Sequence, residues 1–331
     1  LLILQLQYHF MIGRRILRIK VLQSVYAFHL SENNDLPSAR NSLIKSIDDL
    51  VRIFFINIYF FINFIKFYKE RLEKNKEKFF PSEDDINPNT VIIDNVFIND
   101  LLHNENLKSG LDNLSLDFPF ESDLFWDVYK KIKDWYLYQN FISKNSYSLE
   151  DYQKFYSKFF KQFIAFHPLL KSYLESGNIS WSDDQNTMAL ITYMWIKNYN
   201  PQNSESQIPP QPFKPIKNIG DEDDKEFVKT LFDNTILNKN KWDEEIQKHA
   251  QNWELQRLNL LDRYIIHQAM TEIVYCPTIP IKTSIDEYIE IAIQFCTEKS
   301  HIFINGLLQA IIDDYNKQGL INKTGRGLIT N

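Results

Sequence analysis

Apolar residues recur at helical spacing along almost the whole chain, and alternation at strand period is sustained nowhere. The pattern predicts a first helix over 12–30, a polar break at Ser31–Pro37 and a long second helix from about Ser38 to Lys78. Within the second helix, Val51–Ile65 is strongly apolar but interrupted by Arg52, Asn57 and Asn63. A membrane span needs about 20 apolar residues, so this stretch reads as a buried core helix. The charged run KERLEKNKEK closes it, and Pro81 with the polar segment behind it stops the pattern. Residues 91–104 read as a short helix or extended piece and 105–120 as loop. Helices follow over Phe125–Lys144, over 149–165 behind Ser148 and Asp151, over Leu169–Ser176 up to Gly177, and over Trp181–Tyr199 entered through Ser182.

Pro201, Pro209, Pro210, Pro212 and Pro215 mark 201–220 as a linker. Beyond it, Asp221–Asp224 forms an acidic first turn suited to the positive end of a helix. Helical segments are expected at 222–237, 241–250, 254–275, 284–296 and 298–316. Ser284 with Glu287 reads as a capping box and Thr297 as the N-cap of the last helix, whose apolar face carries Phe303, Leu307 and Ile311. Gly306 inside that helix costs stability unless another backbone approaches closely. The tail from Gly319 is expected to fray. No internal repeat is visible, and the fold class is all-α. The organisation expected is an upstream extension over 1–10, an N-terminal helical region over 11–200, the linker at 201–220, a C-terminal helical subdomain over 221–316 and a tail over 317–331.

Composition sharpens this in a few places. Only 8 glycines in 331 residues disfavour glycine-rich phosphate loops. The net charge of -6 argues against nucleic-acid binding over the whole surface. The first 30 residues nevertheless hold Arg14, Arg15, Arg18 and Lys20 and no acid before Glu32. Cys276 and Cys296 fit reduced apolar thiols. No Cys/His cluster has metal-ligand spacing, so neither metal nor cofactor is expected. Residues 1–12 lack the basic start and cleavage site of a signal peptide, and Met11, just before the basic run, reads as the natural start. A cytoplasmic location is expected.

Four motifs then carry a resemblance. They are RRILRIKVLQSVYAF (14–28), NWELQRLNLLDRYIIHQAMTEI (252–273), TIPIKTSIDEYIEIAIQF (278–295) and EKSHIFINGLLQAI (298–311). In this order they resemble the NusB family, with Asp286 where Asn is usual and Ile304 in a Val position. The similarity covers about 14–30 and 222–312; the longer middle, roughly 38–200, looks similar to an extended form of the family. The resemblance implies two packed helical subdomains around long central helices, with an enlarged helical middle region. It also implies a non-enzymatic role in transcription antitermination, a boxA-type single-stranded RNA ligand, and NusE, a small-subunit ribosomal protein, as partner within an elongation complex holding other Nus factors. No membrane partner is implied.

At 100° per residue Arg14, Arg15 and Arg18 share one third of the first helix's circumference, which makes them RNA contacts or simply a solvated basic turn. Gln23 lies further along that helix, Tyr26 reads as packed and Lys20 as solvated. By resemblance Lys299, Ser300, His301 and Phe303 at the foot of the last helix face the same RNA, converging with the basic turn on one surface. Phe303 is either core or a base-stacking ring. Asn305 and Gly306 read as structural. Asp262, Arg263 and His267 are the candidate contacts to NusE, or an ordinary solvated face. Glu272, Asp286, Glu287 and Glu290 are explained by capping and helix-face spacing without catalysis. Two other readings are an RNA methyltransferase, whose cofactor loop and nucleophilic cysteine are not found here, and a protein scaffold that has lost RNA affinity.

Overall fold

The computed structural model describes residues 12–31, 35–177, 181–213, 223–250 and 258–328. The expected extension 1–10 with Met11, and also Asp221, Trp253 and Arg257, lie outside them. Among the described residues there are fifteen α-helices and no strand. They are α1 (Arg14–Leu30), α2 (Leu36–Lys76), α3 (Glu83–Ile86), α4 (Val96–His103), α5 (Glu105–Asp112), α6 (Glu121–Ile132), α7 (Tyr136–Ile142), α8 (Leu149–Phe159), α9 (Pro168–Gly177), α10 (Trp181–Asn198), α11 (Asp224–Leu237), α12 (Lys239–His249), α13 (Leu260–Tyr275), α14 (Ile281–Phe295) and α15 (Ser300–Lys317). The chain divides into two compact units, one built on Asp48–Pro212 and the other on Ile12–Ile47 with Phe213–Asn331.

In the first unit the apolar run of α2 is core. Ile53, Phe54, Ile56, Ile58, Phe60, Phe61 and Phe64 are fully buried, and buried Asn57 donates from Nδ2 to Thr192 Oγ1 at 3.2 Å. By length and composition α2 could cross a membrane; 61% of its most apolar stretch is buried within the protein. Ser148 and Asp151 form the expected capping box at α8. Two expectations fail here. Residues 105–112 are helical, because Asn104 Oδ1 accepts from the backbone N–H of Asn106 and Leu107 and so satisfies two orphan donors of α5. The predicted helix 125–144 is two helices, broken at 133–135. The break turns Trp135 inward onto Phe155 and Phe163, with ring centroids 5.7 and 5.2 Å away, a tertiary contact that local periodicity cannot show. The start of the proline-rich segment also belongs to this unit. Pro209 and Pro210 are buried, and the Trp195 indole N–H donates to the Ile208 carbonyl at 2.9 Å.

The second unit is organised around α13, eleven of whose side chains are buried. α1 lies antiparallel to it. Near one end Arg18 meets Glu272, and near the other Tyr26 and His29 pack on Tyr264, His29 stacking at 4.7 Å. The Ser284–Glu287 capping box is absent. α14 starts earlier, after Pro280, and fully buried Ser284 turns its hydroxyl to Glu272 Oε1 at 2.8 Å. Likewise the N-cap of α15 is Lys299, with no side-chain cap. Gly306 is exposed, and nothing lies within 4 Å of where its Cβ would stand, so no backbone approach explains it.

The expected frayed tail instead returns to the body. Gly319 N–H bonds the Asn316 carbonyl and Leu320 N–H the Tyr315 carbonyl, the pairing of a Schellman stop. Further on, Thr324 N–H and the Lys323 ammonium each reach 3.0 Å from the carbonyls of Pro277 and Cys276. Gly319 holds φ 68°, a left-handed conformation that a Cβ disfavours. Gly319→Ala is therefore expected to lower unfolding free energy by about 1 kcal/mol, read as a shifted urea midpoint; no shift would mean the stop is not held.

Candidate nucleic-acid interface

The three arginines in the first turns of α1 do share a face, and that face looks inward. Arg14 Nε lies 2.8 Å from Asp224 Oδ1, with its guanidinium 4.9 Å from the Phe227 ring. Asp223 takes the N-cap of α11, which leaves the Asp224 carboxylate for this ion pair. Arg15 grips Glu287 with two nitrogens, at 2.7 and 2.9 Å, and lies 3.6 Å from Glu290. Arg18 is buried and bidentate on buried Glu272 at 2.7 and 2.8 Å. Ser284 and Tyr288 also donate to Glu272, at 2.8 and 3.0 Å.

Three cations thus meet four carboxylates, and the local charge that looked positive along the chain is neutralised in space. Burial disfavours the Arg18 charge, but the Glu272 carboxylate outweighs it and raises the guanidinium pKa. Burial likewise pushes Glu287 up, while the Arg15 hydrogen bond and the Arg18 and Arg15 charges pull it below the usual carboxylate range. Lys20 is buried at 2% exposure rather than solvated. The reading of Arg14, Arg15 and Arg18 as a free basic patch is corrected: these charges hold helices together.

The foot of α15 is different. Lys299 is exposed, Ile302 is 66% exposed, and His301 and Phe303 are half-buried. The first turn of α15 holds no acid and no side-chain cap, so its leading N–H groups and Lys299 present positive potential together; exposed Glu298 opposes them. Ser300 is buried and bonds Asp262 Oδ2 at 2.9 Å. Gln23 is half-buried on α1.

Arg18 meets Glu272 near the C-terminal end of α13, whereas Ser300 meets Asp262 in its first turn. Ten residues of helix separate these points by about 15 Å. The basic turn and the foot of α15 therefore lie at opposite ends of α13, and the expected convergence is not what this arrangement gives.

The candidate partner contacts also turn inward. Asp262 is buried against Ser300, and His267 is fully buried, its Nε2 2.8 Å from Asp243 Oδ1. Arg263 Nε lies 2.5 Å from the same Asp243 oxygen, and its Nη2 closes a second, tight contact with Oδ2. Burial would raise the Asp243 pKa; bonds from His267 and Arg263 overcome this and hold it at about 2. Sequence reasoning did not find Asp243 or Asp224 as ionic partners, and it accounted for Glu272 by helix position. The available signal was Glu272 itself, an acid set between Ala269–Met270 and Ile273–Val274 in α13.

Residues 187–313 match the model of the NusB family. The chain is 44% identical over 105 residues, 32% of its length, to the transcription antitermination protein NusB of Salinibacter ruber and 39% identical over 105 residues to that of Chloroherpeton thalassium. It is 36% identical over 92 residues to that of Natranaerobius thermophilus. These matches cover 66%, 50% and 66% of the three relatives' own lengths. No solved structure matches the chain.

Proposed function

Because the chain carries a NusB-family domain over residues 187–313, we propose that it is a cytoplasmic, non-enzymatic transcription antitermination factor that binds boxA-type single-stranded RNA together with NusE. The observation that carries the RNA contact is the uncapped, acid-free first turn of α15 with exposed Lys299 beside it. There Lys299 and the leading N–H groups take a phosphate, and Phe303 with His301 offers a ring to a base. Gln23 is a second candidate contact. Arg14 and Arg15 keep partial exposure but start from balanced ion pairs, so displacing them onto phosphate gains little. Asp262, Arg263 and His267 act on NusE only indirectly, by holding α12, α13 and α15 together. Exposed Ile293 and Ile302 are the better candidates for direct partner contact.

The test is fluorescence anisotropy on boxA-type RNA with Lys299→Glu and Phe303→Ala. Loss of one base stack is expected to cost about 1–3 kcal/mol. Lys299→Glu should lower the salt slope by about 0.7 for the phosphate lost. RNA binding that both variants leave intact would remove this surface. A parent protein that binds NusE but no RNA would favour the scaffold reading, which the neutralised arginines of α1 support. Charge reversal at Arg15 or Arg18 is not a clean test, since it breaks the fold's own ion pairs.

A further inference from the structure

Away from this surface, α12 and α15 bring one imidazole and two carboxylates together. Glu245 and His249 stand one turn apart on α12 and Asp314 comes from α15; one ligand atom of each lies within 4.8 Å of the others. His249 Nδ1 is 2.9 Å from the Glu245 carbonyl. A proton on Nδ1 donated there leaves Nε2 with a bare lone pair, the second-shell arrangement that orients metal-binding imidazoles. That Nε2 lies 3.4 Å from Asp314 Oδ2. Two ligands held at about 2.0–2.1 Å around a tetrahedral ion stand roughly 3.3 Å apart, so the spacing already fits. Glu245 Oε2, 3.6 Å from His249 Nδ1, is shielded from solvent and meets no donor in good hydrogen-bond geometry. The Tyr315 hydroxyl bears on the same carboxylate, so Oε2 is an under-satisfied acceptor.

Lys248 occupies the position of the missing charge. Its ammonium lies 2.6 Å from Asp314 Oδ2 and 3.9 Å from Glu245 Oε2. Its side chain is 54% exposed and can swing into water.

We propose that Glu245, His249 and Asp314 form a binding site for a divalent transition-metal ion of the zinc type, with the Lys248 ammonium as a built-in competitor. An imidazole with two carboxylates selects zinc-like ions over calcium or magnesium, which take all-oxygen shells. The half-buried setting leaves a fourth position to water. Occupancy would clamp α12 to α15. Expecting no metal from the absence of Cys/His clusters misses this set, because two ligands are carboxylates and the third arrives from another helix.

Calorimetric titration of zinc chloride into the chelator-stripped full chain tests it. One equivalent is expected to bind, with affinity lowered about tenfold or more in His249→Ala and in the near-isosteric Asp314→Asn. Lys248→Met should tighten binding, a gain that damage to the fold cannot imitate. Circular dichroism confirms that each variant is helical. No saturable binding by the parent, or zinc affinity unmoved by all three substitutions, overturns the proposal.

Discussion

Glu272→Ala is expected to destabilise the unit that contains α13 by about 3–5 kcal/mol, one of the largest single-residue effects in this protein. The carboxylate is fully buried and accepts four hydrogen bonds, two from Arg18 and one each from Ser284 and Tyr288. Removing it leaves a guanidinium that is itself only 4% exposed with just the Glu287 carboxylate, 3.5 Å away and shared with Arg15, and an under-compensated buried charge is the costly case. Arg18→Ala should do comparable harm by orphaning the carboxylate. The double replacement Arg18→Met with Glu272→Leu removes both charges and should recover most of the loss, since a well-packed apolar pair often matches a buried ion pair. Urea denaturation followed by circular dichroism reads all three variants. A cost below about 1 kcal/mol for either single substitution, a value typical of exposed pairs, would show that water reaches the pair and that the network does not hold α1 to α13 and α14.

This network also marks the limit of what the chain reveals to reading alone. Arg14, Arg15 and Arg18 were legible as one helical face, because 3.6-residue periodicity depends on neighbours in sequence. What that face meets was not legible. The partners Asp224, Glu272, Glu287 and Glu290 stand on α11, α13 and α14, more than 200 residues away, and no local rule links them to α1. Charge counted along the chain therefore gave a basic patch, while in space those three cations face four carboxylates. Asp262, Arg263 and His267 misled in the same way, since Asp243, the common partner of Arg263 and His267, and Ser300, the partner of Asp262, lie across inter-helix contacts.

The fold was more legible than the site. α1, α2 and α9 fall within about two residues of their expected ends, because each is bounded by a polar break, proline or glycine. The capping box at Ser148 was readable from the spacing of Ser148 and Asp151 alone. The Ser284–Glu287 pair has the same spacing and is not a cap: Pro280 starts α14 a turn earlier, and Ser284 serves Glu272 instead. A three-residue spacing permits a capping box without requiring one; the surrounding helices decide which hydrogen bond is made.

Acidification is expected to weaken the second unit well before its carboxylates protonate. Burial lowers the His29 pKa to about 4, helped by the charges of Lys239 and others, and its Nε2 is shielded with no hydrogen-bond partner. Burial also lowers His267, against the opposing pull of Asp243. With Asp243 ionised, His267 donates from Nε2, so any second proton must go to Nδ1, which is buried and has no acceptor. Both rings therefore stay neutral in the folded state at pH values where the unfolded chain, with an ordinary pKa of about 6.5, takes up protons. The unfolded state binds more protons, so stability is fully present above about pH 6.5 and is lost as pH falls toward 4. His29 alone should cost about 1–2 kcal/mol, after discounting it for its partial exposure, and His267 adds to the loss in the same direction. The ionic anchors act in a separate window: Asp243, held at about 2, gives up its contribution only below about pH 4. Urea midpoints measured from pH 7.5 to 4.5 should decline steadily, and His29→Gln should flatten that decline by removing one of the two proton sites. A midpoint constant over this range, or a slope that His29→Gln leaves unchanged, would mean that neither imidazole is held neutral by the packing around α13.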